Sequence, residues 1–125
     1  SNSQQKEVIM KRLTLDDISN APSLPEKEVE ISEWDATVLV TGLTKADAVE
    51  INELSEVEGN RDEVLFEKHL LLKGLKEPQL DDLNQVEDFY SKATPAIIDK
   101  ILIGIYRCMA WTKEDQASIA SEFPE

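Results

Sequence analysis

At 125 residues the chain has the length of one compact domain, and its 41% hydrophobic residues suffice for a modest core, which excludes wholesale disorder. Thirteen Lys and Arg against 26 Asp and Glu give a net charge of −13, a surface that repels phosphate backbones and anionic lipid, so neither nucleic-acid nor membrane binding is expected. The single cysteine, Cys108, excludes an internal disulfide, and no apolar run approaches the roughly 18–20 residues of a membrane span, so an intracellular protein is expected.

Residues 1–12 (SNSQQKEVIMKR) are polar with a small apolar patch and read as a flexible arm. Thr14 stands before Leu15, with Asp17 three residues on, a capping-box variant that starts a short helix. Pro22 and Pro25 then keep residues 20–25 out of helix. From Glu28 the apolar period falls to two. Val29 and Ile31 alternate with glutamates, and Val38 and Val40 alternate with Thr37, Leu39 and Thr41. The parity breaks across residues 32–35, which predicts a β-hairpin at about 28–41 with Ser32, Glu33, Trp34 and Asp35 at its tip. A lone hairpin is marginal in water, so this one must lie on helices or pair with another chain.

Thr44 with Asp47 starts the next helix, Leu43 staples its entry, and Ala48, Ile51 and Leu54 give it an apolar stripe. Residues 56–60, with Gly59, end it. Asn60 and Glu63 form another capping-box pattern ahead of a helix bearing Leu65, Phe66, His69, Leu70, Leu71 and Leu72. Gly74 reads as its C-cap and Pro78 as the stop. Leu80 restarts a helix with Leu83, Val86, Phe89 and Tyr90 on one side. Thr94 and Pro95 then open the most apolar helix, with Ile97, Ile98, Ile101, Leu102, Ile105 and Met109. Residues 112–125 read as a short helix or frayed tail. The expected fold is mainly α (α+β): one helical domain over 13–111, of about four to five helices, with a single N-terminal β-hairpin.

Candidate chemistry is sparse. His69, the only histidine, sits on an apolar stripe and reads as a partly buried structural residue. Cys108 has no glycine-flanked turn or preceding helix start to activate it and reads as a packed thiol. The acid pairs at Asp16 and Asp17 and at Asp81 and Asp82 fall where helices begin, where carboxylates face the helix dipole. Neighbouring positions on a helix point about 100° apart and do not chelate a metal by themselves. Gly59 and Gly74 stand alone, with no phosphate loop. Lys68, Lys73 and Lys76 are diluted by Glu67 and Glu77, so no nucleic-acid face forms. The expectation is a protein without enzymatic activity, cofactor or metal, working by binding. Trp34, between two acids at a hairpin tip, is either a lid folded onto the helices or an exposed anchor for a partner.

The order of these segments carries a resemblance. Leu13 to Ile18, then Ala21-Pro-Ser-Leu-Pro25, then Val29-Glu-Ile-Ser-Glu-Trp34 and Val38-Leu-Val-Thr-Gly-Leu-Thr44 resembles the start of tail-assembly chaperones of long-tailed bacteriophages, the Gram-positive phage and prophage type. Ser32 stands where that family often has proline. The resemblance continues through Leu70-Leu-Leu-Lys-Gly-Leu-Lys-Glu-Pro78 and Ala96-Ile-Ile-Asp-Lys-Ile101, and so covers about 13–110. It implies a non-enzymatic protein of the bacterial host cytoplasm that binds and solubilises the helical tape-measure protein, associates with itself, and in some forms contacts the major tail (tube) protein. The contact residues expected on this reading are Trp34, Val38, Val40, Leu71, Leu75 and Trp111. The alternatives are a structural phage component, either a head-tail connector or a small tail subunit, and an acidic regulator of a basic protein.

Overall fold

The computed structural model describes residues 10–109, so Trp111, the tail at 112–125 and the first nine residues of the arm lie outside the described residues. The first helix, α1 (Leu15–Ser19), carries the expected capping box: the Asp17 N–H donates to Thr14 Oγ1 at 3.1 Å, and the Thr14 N–H donates to Asp17 Oδ2 at 2.9 Å. No residue of α1 is buried.

The hairpin forms as its parity predicts, starting two residues earlier than expected. Strand β1 (Glu26–Ile31) pairs antiparallel with β2 (Ala36–Thr41), from Glu26 opposite Thr41 to Ile31 opposite Ala36. Between them a 3₁₀ turn, Ser32–Trp34, ends at Asp35, whose left-handed φ of 52° is a conformation aspartate tolerates. Side chains alternate across a strand, so Val29, Ile31, Val38 and Val40 share the inner face. Glu26, Glu28, Glu30, Thr37, Leu39 and Thr41 share the outer one.

Helix α2 (Lys45–Leu54) has the Thr44–Asp47 capping box, and Ile51 is its buried residue. The segment at 56–60, expected only as a helix stop, is a small ribbon in which β3 (Glu56–Val57) pairs with β4 (Asn60–Arg61). Glu58 and Gly59 both have positive φ, 52° and 83°, the signature of a two-residue type I′ turn. The ribbon moves the cap of α3 (Glu63–Gly74) from Asn60 to Asp62, whose Oδ1 accepts from the Leu65 N–H at 3.0 Å.

A third strand was not legible in the pattern. Gly74 does not adopt a positive-φ cap; the chain passes from α3 straight into β5 (Leu75–Glu77), antiparallel to β2 with a bulge at Leu39 and Val40. Glycine stands at 74 for a different reason: a Cβ there would lie 2.4 Å from Ile105 Cδ1. The sheet order is therefore β1-β2-β5, with β2 central. Helix α4 (Leu83–Lys92) begins later than Leu80, capped by Asp82. Helix α5 (Pro95–Cys108) starts at the expected Thr94 cap.

Helix α5 lies against the inner face of the sheet and forms the centre of the core, with Ile97, Ile98, Ile101, Leu102 and Ile105 buried among Ile31, Val40, Ile51, Leu70, Leu71, Leu75 and Val86. The hairpin thus rests on its own helices. The architecture is α+β, five helices and a three-stranded antiparallel sheet among the described residues. No described helix is long and apolar enough to cross a membrane.

Candidate functional site

Three of the expected contact residues are core. Val40 and Leu71 are fully buried and Leu75 is 2% exposed, all three belonging to the core cluster that includes the α5 isoleucines. Apolar character alone does not separate a contact residue from a packing residue, and here packing took Val40 and Leu71 entirely, while Leu75 is core on one side and groove wall on the other. Trp34 and Val38 remain, and the fold brings them together. They line a groove of about 610 Å³ between the tip of the hairpin, the segment after β5 and α4, with Leu75, Pro78, Leu80 and Phe89 as its other apolar walls.

The turn holds Trp34 in place. The Asp35 N–H donates to the Ser32 carbonyl at 3.1 Å, closing the turn, and Lys100 on α5 donates to Glu33 Oε1 at 2.8 Å. That hydrogen bond keeps the Glu33 carboxyl below the usual glutamate range. The indole meets the Phe89 ring with centroids 5.8 Å apart and planes tilted by 52°, a favourable aromatic geometry. It still leaves 47% of Trp34 exposed. Trp34 therefore closes one side of the groove and presents the rest of its surface to solvent.

One wall of the groove is a strand edge. The Gly42 N–H donates to the Pro25 carbonyl at 2.9 Å, and bonded and non-bonded pairs alternate along an antiparallel ladder. Val40, Val38 and Ala36 therefore direct their main-chain groups at β1, while Leu39 and Thr37 direct theirs the other way. Leu39 meets Glu77 of β5. Pairing stops there because Pro78 follows, which has no N–H and cannot continue a ladder. Thr37, exposed, faces the groove side with no strand beside it there among the described residues.

The walls contributed by Pro78, Leu80 and Phe89 were not singled out in the sequence as contact residues. Phe89 stood in the apolar stripe of α4, and nothing local shows that a hairpin tip 55 positions earlier would lean on it. Leu80 and Pro78 registered only as punctuation.

The remaining candidates hold no reactive arrangement. His69 is half-buried in a second hollow with Leu43, Leu72, Asp47, Glu50 and Lys73, and burial holds its imidazole below the ordinary 6.5. Lys73 is tied to Glu50 at 2.9 Å and to Asp47 at 3.7 Å. Burial pushes the Cys108 thiol up, which makes it a weaker nucleophile. Tyr90 donates to Glu67 at 3.0 Å, and burial raises its phenol. Among the described residues no group of His, Cys, Asp and Glu is arranged to hold a metal ion.

The fold and the groove define a small, strongly acidic α+β protein with an apolar cleft at the tip of its hairpin. No family model, no curated protein and no solved structure matches the chain.

Proposed function

We propose that the chain is a phage tail-assembly chaperone, a non-enzymatic protein of the bacterial host cytoplasm that binds the tape-measure protein, and in part the tail tube protein, and keeps its client soluble until the tail polymerises. The reading rests on the ordered resemblance over 13–110 and on one structural observation: a half-exposed tryptophan standing over an apolar groove. Tryptophan is enriched at the energetic centres of interfaces. An acidic body resists non-specific aggregation while an apolar cleft takes a client side chain, a combination suited to holding an aggregation-prone helix. The groove is small, which suits release as well as capture.

The contact set for this function is Trp34 and Val38 with Pro78, Leu80 and Phe89. Co-expression should raise the soluble yield of the tape-measure protein encoded beside this chain; no gain removes the proposal. Mass spectrometry of purified virions should find no copy, whereas a stoichiometric copy would instead favour a connector or tail subunit. Trp34→Ala should weaken client binding by at least about thirtyfold, a hot-spot loss of about 2 kcal/mol. The same change should lower stability by about 2–3 kcal/mol, from its ring pair and the buried half of its indole, and should leave the unfolding transition cooperative.

A further inference from the structure

Among the described residues two surfaces have no partner, and they match. The first is the arm. Leu13, Leu15 and Ile18 are 72%, 83% and 58% exposed, and Met10 more so. A five-residue helix is too short to be stable alone, yet α1 is fully capped and buries none of its residues. The apolar arm therefore stands off the body that carries it.

The second is the open length of β2. Beyond Leu39 the strand loses β5, and Thr37 turns its N–H and C=O to the groove side. Below that edge are Val38, Leu75 and Phe89; above it, on the outer face of the sheet, Glu28, Glu30 and Glu77 concentrate negative charge.

We infer that residues 11–14 of one copy add to the open edge of β2 on a second copy, Leu13 filling the groove beside Trp34. The pattern of the arm fits this site. Thr14 is already extended, with φ −114° and ψ 166°. In a strand Lys11 and Leu13 share one face, and Arg12 and Thr14 the other. With Leu13 turned into the groove, Arg12 falls on the glutamate-rich outer face, and Lys11, paired with Asp17 in its own chain, falls on the groove side that Asp88 also lines, so one register suits both charge and hydrophobicity. Residues 10–13 include two cations and no acid, in a chain otherwise dominated by carboxylates.

A second copy suits the site better than the arm's own body. Glu26 pairs with Thr41, so the arm is rooted at the end of the sheet opposite Trp34, about 20 Å away for a six-residue strand. Residues 20–23, all exposed, lead it off the body from the half-buried Leu24 and Pro25, and the two prolines of this stretch, Pro22 and Pro25, disfavour a helical turn back. Because arm and edge are different surfaces, each added copy leaves one arm and one edge free, and the contact propagates head to tail. The groove is the one proposed above to receive a client, so self-assembly and client capture exclude each other, and this inference rests on that reading of the groove.

Sedimentation velocity of the full chain across a wide concentration range tests it. The native chain should form a concentration-dependent series beyond dimers. Leu13→Ser with Leu15→Ser alters only exposed side chains and should leave a monomer; Thr37→Pro, which removes the free edge donor, should do the same. Where Thr37→Pro disturbs the circular dichroism, Trp34→Ala takes its place. Mixing the arm variant with the edge variant should give a one-to-one dimer and nothing larger, since one intact arm meets one intact edge. A native chain that stays monomeric at every concentration, an arm variant that assembles like the native chain, or a mixture without dimers each overturns the inference. Client binding is read separately: the arm variant should solubilise the tape-measure protein at least as well as the native chain. Assembly lost with client binding intact is the expected pattern. Assembly by the arm contact with no client binding by any variant counts against the chaperone reading alone.

Discussion

Gly104 sits in the middle of α5, where glycine is about 1 kcal/mol worse than alanine for helix stability. On helix propensity alone, Gly104→Ala should therefore stabilise the protein. The packing predicts the opposite. An added Cβ would stand 2.6 Å from Val29 Cγ2 and 3.3 Å from Val40 Cγ2, so the sheet lies too close to admit a methyl group. Val40 is fully buried and cannot withdraw, and Val29, β-branched and stiff about χ1, can relieve the contact only by turning toward the hollow it lines with Gly104. Overpacking of a dense core costs about 1–3 kcal/mol, here at the upper end of that range, and the helix gain offsets about 1. The expected net effect is a loss of about 1–2 kcal/mol, read as a lower urea midpoint at unchanged slope. Val29→Ala in the same background removes the closest atom, so the double variant should show a favourable coupling of about 1 kcal/mol. Gly104→Ala with a raised midpoint, or no coupling to Val29, would refute the close approach of α5 to β1.

His69 gives a pH signature. Its folded pKa lies below the unfolded value of about 6.5, so the unfolded state takes up a proton first, and the stability from the neutral imidazole, present above 6.5, is lost as pH falls through that value. Glu50 opposes the shift and Lys73 adds to it. His69→Gln should therefore lose less stability than the native chain between pH 7 and 5.5, and equal losses would contradict the assignment. Tyr90→Phe removes the bond to Glu67 and should cost about 0.5–1.5 kcal/mol by chemical denaturation. Cys108, buried at the end of α5, should react with a thiol reagent slowly in buffer and rapidly in urea; an immediate full reaction in buffer would place it at the surface.

Much of the fold was written in local patterns. The parity break at 32–35 located the hairpin tip because a period of two admits no other reading. The Thr14, Thr44 and Thr94 caps held because capping depends on residues within one turn. The misses depended on contacts distant in sequence. Strand β5 has three residues, too few to show a period, and its place beside β2 is decided by Pro78 and by the close packing of Gly74 on Ile105. The ribbon at 56–61 hid behind Gly59, which reads equally as a helix stop or as half of a type I′ turn. At the groove, Trp34 was visible as an apolar side chain among acids. Val40 and Leu71 were misplaced as contacts because an apolar residue looks the same in sequence whether it packs inward or outward; Leu75, 2% exposed, is core and also part of the groove wall. Phe89 was recognised as apolar, but its pairing with Trp34 is a tertiary fact.

The sheet narrows along its length, three strands wide near Gly42 and two wide near Trp34. At the wide end β2 is clamped between β1 and β5, and the Cys108 carbonyl presses against Gly42. At the narrow end the tip is secured by a 3₁₀ turn, one exposed Lys100–Glu33 pair and the Phe89 contact. Stiffness should therefore fall from Val40 toward Ala36, and amide exchange should quicken in the same direction. A cleft with one firm wall and one yielding wall fits its width to what enters, so it would accept apolar side chains of several sizes while the core behind it stays still.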